Sequence, residues 1–198
     1  MPLKRVAVTG SVGTGKTALG RALASRLGLE FFSVTDLVNE NQFLSLSFSN
    51  GEHEVDVPAL KDFLSSSLPA SFVVESHLLC EFKVDCDLLV VLRCNPSVLL
   101  KRLSPRNYSE QKLASNVLSE MIDYCVLESE KHCAPEKILV LDNTSFLSVD
   151  SALEKISSMK SDEIDWSESF SEKELSLLLS GKVPKSASSK SKKGEKNG

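Results

Sequence analysis

Apolar runs of strand length alternate along this chain with segments whose apolar residues recur every three to four positions. That is the βαβ pattern of a parallel sheet covered on both faces by helices. Strands are predicted near residues 4–8 (KRVAV), 30–34 (EFFSV), 71–75 (SFVVE), 87–93 (DLLVVLR) and 137–141 (KILVL). Leu19, Leu23 and Leu27, with Ala22, line one face of a helix over about 15–27, and Gly28 stands where a left-handed cap ends it. Leu60, Phe63 and Leu64 mark a short helix begun by Asp56, with a proline just inside. Asn95-Pro96 gives the same start signal for a helix over about 96–104. Ser109 does so for a long helix over about 110–132 carrying Leu113, Val117, Met121 and Cys125, and Ser148 for one carrying Val149, Ala152, Leu153, Ile156 and Met159.

Two stretches lack such a period. Residues 41–56 contain Asn50-Gly51, a turn signal, and are expected to form an inserted, mobile excursion. Residues 162–180 hold a short helix (SEKELSLLLS), after which residues 181–198 offer one large apolar side chain, Val183. A tail of that composition cannot offset its ordering entropy and is expected to be disordered. The layout is therefore one α/β domain over 1–168, a short helix within 169–180 and a basic tail at 181–198.

Composition adds limits. A chain of 198 residues with 41% hydrophobic and 25% charged residues is one globular domain of ordinary size. Its longest uninterrupted aliphatic run, Leu88 to Leu92, is far short of the ~20 residues of a membrane span. The net charge of −4 divides unevenly: residues 181–198 carry +5 and residues 1–180 carry −9. The acidic body argues against a broad nucleic-acid-binding face, leaving the tail as the only segment able to contact RNA, weakly and by charge. Five cysteines, with no C-x-x-C pair, read as reduced thiols, and the N-terminus has no signal-peptide stretch, so a cytoplasmic protein is expected.

The strongest chemical signal is Gly10-Ser11-Val12-Gly13-Thr14-Gly15-Lys16-Thr17, a gapless match to G-x-x-x-x-G-K-[ST] between a predicted strand and helix. Glycines let the backbone N–H groups converge on phosphate oxygens, and the following helix points its positive end at the same anion. Gly13, Thr14, Gly15, Lys16 and Thr17 are the expected ATP-binding residues, Lys16 reaching the β and γ phosphates and Thr17 offering its hydroxyl to Mg²⁺. No N-K-x-D stretch appears, which disfavours a GTPase. The size and the segments after strands two and four suit a nucleoside monophosphate kinase-like P-loop fold, with an acceptor segment at 33–56 and a lid at 106–116.

GSVGTGKTALG, VVESHL, VVLRCNPSVLLKRL, RNYSEQKLASNVLSE and EIDWSE together resemble the adenylate kinase isoenzyme 6 type, particularly its archaeal members, over about residues 4–168. The resemblance implies a P-loop fold, transfer of phosphate from ATP to AMP, ATP hydrolysis, and a role in small ribosomal subunit assembly with a ribosomal protein as partner. By position it makes Arg106 the lid arginine, with Arg102 one helical turn before it, and sets Glu75 and His77 in the place of the family's Asp-x-His. The residues themselves agree. Glu75 ends a buried strand, where a carboxylate can orient Mg²⁺, and His77 can position a water or a phosphate. Arg102 and Arg106 can neutralise charge on the moving phosphoryl group. Lys112, Asn116 and Glu120 share a helix face after the lid, and Asp142-Asn143-Thr144 follows strand five, where such kinases hold the adenine edge.

The sequence also departs from the family. Glu75 is one methylene longer than the usual Asp, and Asn107 replaces the lid glycine, at a turn where Asn tolerates a left-handed conformation. Between Leu29 and Ser76 the only basic residue is Lys61, whereas recognition of a phosphate monoester normally uses an arginine fork. The acceptor segment is instead acidic (Asp36, Glu40, Glu52, Glu54, Asp56). Asp36 either faces the metal or monophosphate or simply starts a helix; either Arg93 or Lys83 reaches in from the strand-four side, or AMP binds weakly. Secure ATP binding with weak use of AMP is the expectation, with two alternatives: a kinase of another small metabolite, or an ATP-switched module that docks a basic ribosomal protein.

Overall fold

The computed structural model describes residues 3–41, 44–47 and 53–184. Five parallel strands form the main sheet: β1 (Arg5–Thr9), β2 (Glu30–Ser33), β5 (Phe72–Glu75), β6 (Leu88–Arg93) and β7 (Ile138–Asp142), in the spatial order β2-β5-β1-β6-β7. The central strand β1 pairs with β5 on one side and β6 on the other, Val6 facing Val73 and Leu88. Neither neighbour is close in sequence, so crossover helices must cover both faces. Alternate residues serve the two faces. Val6, Val8, Val73, Val90 and Leu92 pack against Leu19, Leu23 and Ala24 of α1 (Lys16–Leu27) and Ala152 and Ile156 of α7 (Val149–Ser158). Ala7, Val74, Leu89 and Val91 meet Leu60 and Leu64 of α3 (Val57–Ser67) and Cys125 of α6 (Tyr124–His132). Burial on both faces is why β6 is apolar without alternation.

A third cluster joins α4 (Pro96–Leu103), α5 (Glu110–Met121) and α8 (Glu172–Leu179) through Leu99, Leu103, Leu113, Val117 and Leu178. The predicted caps hold. Asp56 accepts from the Ala59 N–H at 3.0 Å, Asn95 from Ser97 at 3.0 Å and Ser109 from Lys112 at 3.2 Å. Ser171 and Glu174 close a reciprocal capping box at the start of α8.

Several expectations change. The single helix over 110–132 is two, because Asp123 adopts φ 57° between α5 and α6 while the apolar period runs on unbroken. Residues 34–40 form a helix, α2 (Val34–Glu40), with Asp36 in its first turn. Within the excursion, β3 (Ser45–Ser47) pairs antiparallel with β4 (His53–Val55); Asn50-Gly51 and Glu52 lie outside the described residues. Residues 181–184 belong to the folded body. Gly181, at φ 74°, donates to the Leu178 carbonyl, and Val183 packs on the third cluster, while residues 185–198 lie outside the description. Among the described residues no helix is long and apolar enough to cross a membrane.

Candidate active site

The glycine loop leaves β1 at the C-terminal edge of the sheet and enters α1. Its path demands glycine. Gly10 lies at φ +135°, where a Cβ would stand 2.2 Å from the Leu92 carbonyl oxygen, and Gly15 at φ +101°, where one would stand 2.4 Å from Asn143 Nδ2. The loop is tied from within by Thr14 Oγ1, which donates to the Ser11 carbonyl at 2.9 Å, and from outside by Asn143 Nδ2, which donates to the Thr14 carbonyl at 2.7 Å. Lys16 is buried, and its ammonium donates to the Ser11 carbonyl at 3.0 Å, inside the concavity. Burial pushes the Lys16 pKa down, opposed by the negative charge of Glu75.

Glu75 closes β5 and is 5% exposed, a burial at which a carboxylate calls for a partner. Its Oε1 accepts from Thr17 Oγ1 at 3.2 Å. Sequence reasoning named both residues as metal-holding, and the fold brings them together. A hydroxyl and a carboxylate are hard oxygen donors of the kind Mg²⁺ takes when phosphates complete its shell. His77 follows in a single 3₁₀ turn over His77–Cys80. The residue is exposed, yet desolvation of its ring, then the positive charges of Lys16 and Lys112, push its pKa down to about 4. The imidazole is therefore neutral at physiological pH.

The arginines divide. Arg102 is committed to the loop after β7: its NH2 donates to the Asn143 and Thr144 carbonyls, each at 2.9 Å, and its guanidinium lies 4.3 Å from the Phe146 ring centre. Phe146 is 78% exposed at φ 57°, an apolar face presented outward beside the loop. Arg106 is exposed on the turn between α4 and α5, its guanidinium 3.4 Å from the Tyr108 hydroxyl. That turn is short; Tyr108 N–H donates to the Arg106 carbonyl at 2.7 Å, and Asn107 is not among the residues at positive φ. The lid stretch 106–116 thus contains a small turn followed by the first two turns of α5, where Leu113 and Ala114 are buried. On α5, Lys112 lies 5.1 Å from the Tyr108 ring centre, and Asn116 Nδ2 is buried without a hydrogen-bond partner.

Arg93 does not face the acceptor segment. Its Nε donates to Glu120 Oε1 at 2.6 Å, and its NH2 to the Glu120 carbonyl at 2.9 Å and to Asp123 Oδ1 at 2.5 Å. Burial pushes the Glu120 carboxyl up, and the charge of Arg93 opposes that shift. This internal clamp explains the break at Asp123, whose turned backbone presents a second carboxylate to Arg93. Glu120 thus commits its carboxylate to Arg93 and to the Cys94 N–H at 3.0 Å, next to Ser11 of the glycine loop. Lys83 lies at the other edge of the sheet, beside Lys4 and Phe72. Asp36 is exposed on α2, 3.9 Å from the Arg21 guanidinium. Arg21 itself lies over the Phe31 ring at 4.6 Å. Arg21 stands one helical turn after Thr17 on α1.

A parallel five-stranded sheet, a glycine loop feeding α1 and a carboxylate at the end of the neighbouring strand define a P-loop protein of the small-kinase fold. Residues 6–123 match the family described as AAA domain. A Thermococcus kodakarensis protein named "Putative adenylate kinase" is 32% identical over 139 residues, 70% of this chain and 76% of its own length. One of the same name from Thermococcus onnurineus is 31% identical over 185 residues, 88% of this chain and 97% of its own. The chain belongs to this family, the adenylate kinase isoenzyme 6 type. Shikimate kinases from Bacteroides thetaiotaomicron (TM-score 0.52, 16% identity, 79% of this chain and 98% of that one) and Acinetobacter baumannii (TM-score 0.53, 17% identity, 79% and 92%) share the fold.

Proposed function

We propose that this protein transfers the γ-phosphoryl group of ATP to AMP, and to water when no acceptor is bound. The observation that carries the reading is the contact of Thr17 with Glu75 at 3.2 Å directly beneath a loop whose Lys16 is already turned inward. Loop N–H groups and Lys16 would hold the β and γ phosphates, the ammonium exchanging the Ser11 carbonyl for phosphate oxygen. Mg²⁺, held by Thr17 and Glu75, would supply neutralisation of phosphate charge. The neutral imidazole of His77 can accept a hydrogen bond from an attacking water in the hydrolytic branch, whereas AMP attacks through a phosphate oxygen that is already anionic and needs no base. Phe146, backed by Arg102, offers a face for the adenine, and Arg106 can swing from its exposed turn onto the phosphates.

The acceptor side is thin in cations. Arg21, 3.9 Å from Asp36, is the one cation found there, and its guanidinium is exposed and shared with that carboxylate rather than held ready as a two-bond fork. AMP is accordingly a weak acceptor, and water competes. Steady-state kinetics with AMP in excess test this: efficient ADP formation at micromolar AMP would remove the weak-acceptor reading, and ATP turnover insensitive to AMP would remove AMP.

A second reading, an ATP-switched module that docks a basic small-subunit ribosomal protein, is favoured by the exposed acids Asp36, Glu40 and Glu54 along the acceptor segment. Pull-down of small-subunit components with and without ATP, beside Lys16→Ala, tests it; no capture in either state removes it. All five cysteines are free thiols, in keeping with a proposed cytoplasmic location, and the +5 tail is proposed to contact RNA weakly, by charge alone.

A further inference from the structure

At the N-terminal edge of the sheet, away from the glycine loop, the end of α3, the segment 68–72, the start of β1 and the loop 82–87 enclose a cavity of about 730 Å³. That is within the range of ligand-binding clefts. Its floor is apolar: Leu64, Phe72 and Phe82 are buried, and Leu3, Leu68 and Val84 are half-buried. Its rim is basic. Lys4, Lys61, Lys83 and Lys137 are all exposed around it.

The two acids of the lining do not neutralise that rim. Asp85 and Asp87 are both taken by Arg5, the latter at 2.9 Å, and Asp87 Oδ2 also accepts from the Lys4 backbone N–H at 3.0 Å. Lys137 donates to the Cys86 carbonyl at 3.1 Å, a neutral partner. Lys4, Lys61 and Lys83 have no carboxylate partner among the described residues. A body carrying −9 over residues 1–180 thus concentrates uncompensated positive charge around one apolar hollow. Nothing in phosphoryl transfer at the opposite edge of the sheet calls for it.

We infer that this cavity docks an acidic peptide segment of a partner protein, anchored by one large apolar side chain. The four lysines come from four separate parts of the chain and are all exposed, so no single loop gathers them into one anion-binding turn. Carboxylates strung along a peptide can pair with lysines drawn from separate segments, whereas a lone phosphate calls for convergent donors and backbone N–H groups. The floor supplies the burial that a surface lysine cluster lacks, and burial of an aromatic or aliphatic anchor carries most of the affinity at such contacts. The protein's own basic tail carries the wrong charge to fill it.

The test uses the full chain and a fluorescein-labelled peptide of about ten residues with one Phe or Leu among Asp and Glu, scanned beside its Lys-for-Glu counterpart, its Gly-for-anchor counterpart and inorganic phosphate. Anisotropy gives affinity, and backbone amide shifts give location. The expected result is binding of the acidic, anchored peptide alone, with shifts at Leu64, Leu68 and Val84. Lys61→Glu with Lys83→Glu should weaken it about tenfold or more while ATP turnover stays at its starting value. Equal affinity for the doubly reversed chain, or shifts confined to the glycine loop and α2, overturns the inference. So does equal binding of the anchorless peptide, which would mean charge attraction only, or of phosphate, which would mean a small-anion site.

Discussion

The two halves of the crevice are built on different terms. On the donor side, polar groups hold one another: buried Asn143 ties the glycine loop, half-buried Arg102 ties the loop that carries Asn143, and buried Glu75 holds Thr17. On the acceptor side, Arg21 and Asp36 are each more than half exposed and meet only at 3.9 Å. A buried, mutually bonded set is preorganised and costs little to use, whereas an exposed pair must be ordered by the ligand it binds. The donor side is therefore specific before any acceptor arrives.

That contrast can be broken at either half. Lys16→Ala removes the ammonium aimed at the phosphates and should lower turnover by ~10²–10³-fold with the fold retained, read by ADP release and thermal melting. Glu75→Gln keeps the shape and the Thr17 contact but removes the charge; turnover should fall by about 10²-fold, and excess Mg²⁺ should not restore it. Arg102→Ala frees the Asn143–Thr144 carbonyls and the Phe146 face, raising KM for ATP about tenfold more than KM for AMP. Arg21→Ala should do the reverse, raising KM for AMP about fivefold with a smaller change in KM for ATP. If Arg21→Ala instead moves both constants equally, the division of the crevice fails. Asp36→Asn, which only releases Arg21 from an exposed partner, should stay within about twofold on every constant.

How far these parts were legible follows from where their reasons lie. The glycine loop could be read directly because its positive φ values exclude other residues, and Glu75 could be placed because a strand end is a local signal. Arg93 could not be read. Its partners lie 27 and 30 residues downstream, and a charged residue ending an apolar strand looks the same whether it faces a ligand or an internal carboxylate. The break at Asp123 was hidden by side chains whose spacing runs through it, since periodicity reports which face is apolar and not whether the backbone stays helical. Arg102 was assigned to the phosphates by its place before the lid. Its observed contacts are with main-chain carbonyls, which have no residue identity and so leave no trace in a sequence.

The order of strands across the sheet also bears on how the protein comes to be. β1 is the first strand synthesised, yet Arg5 pairs with Phe72 and Val6 with Leu88, and the loop that follows is pinned by Asn143. Local contacts form early and distant ones wait for the intervening chain. During synthesis the glycine loop therefore emerges long before it has a shape, and a nascent chain stopped short of β7 carries the complete phosphate motif without a site that holds phosphate.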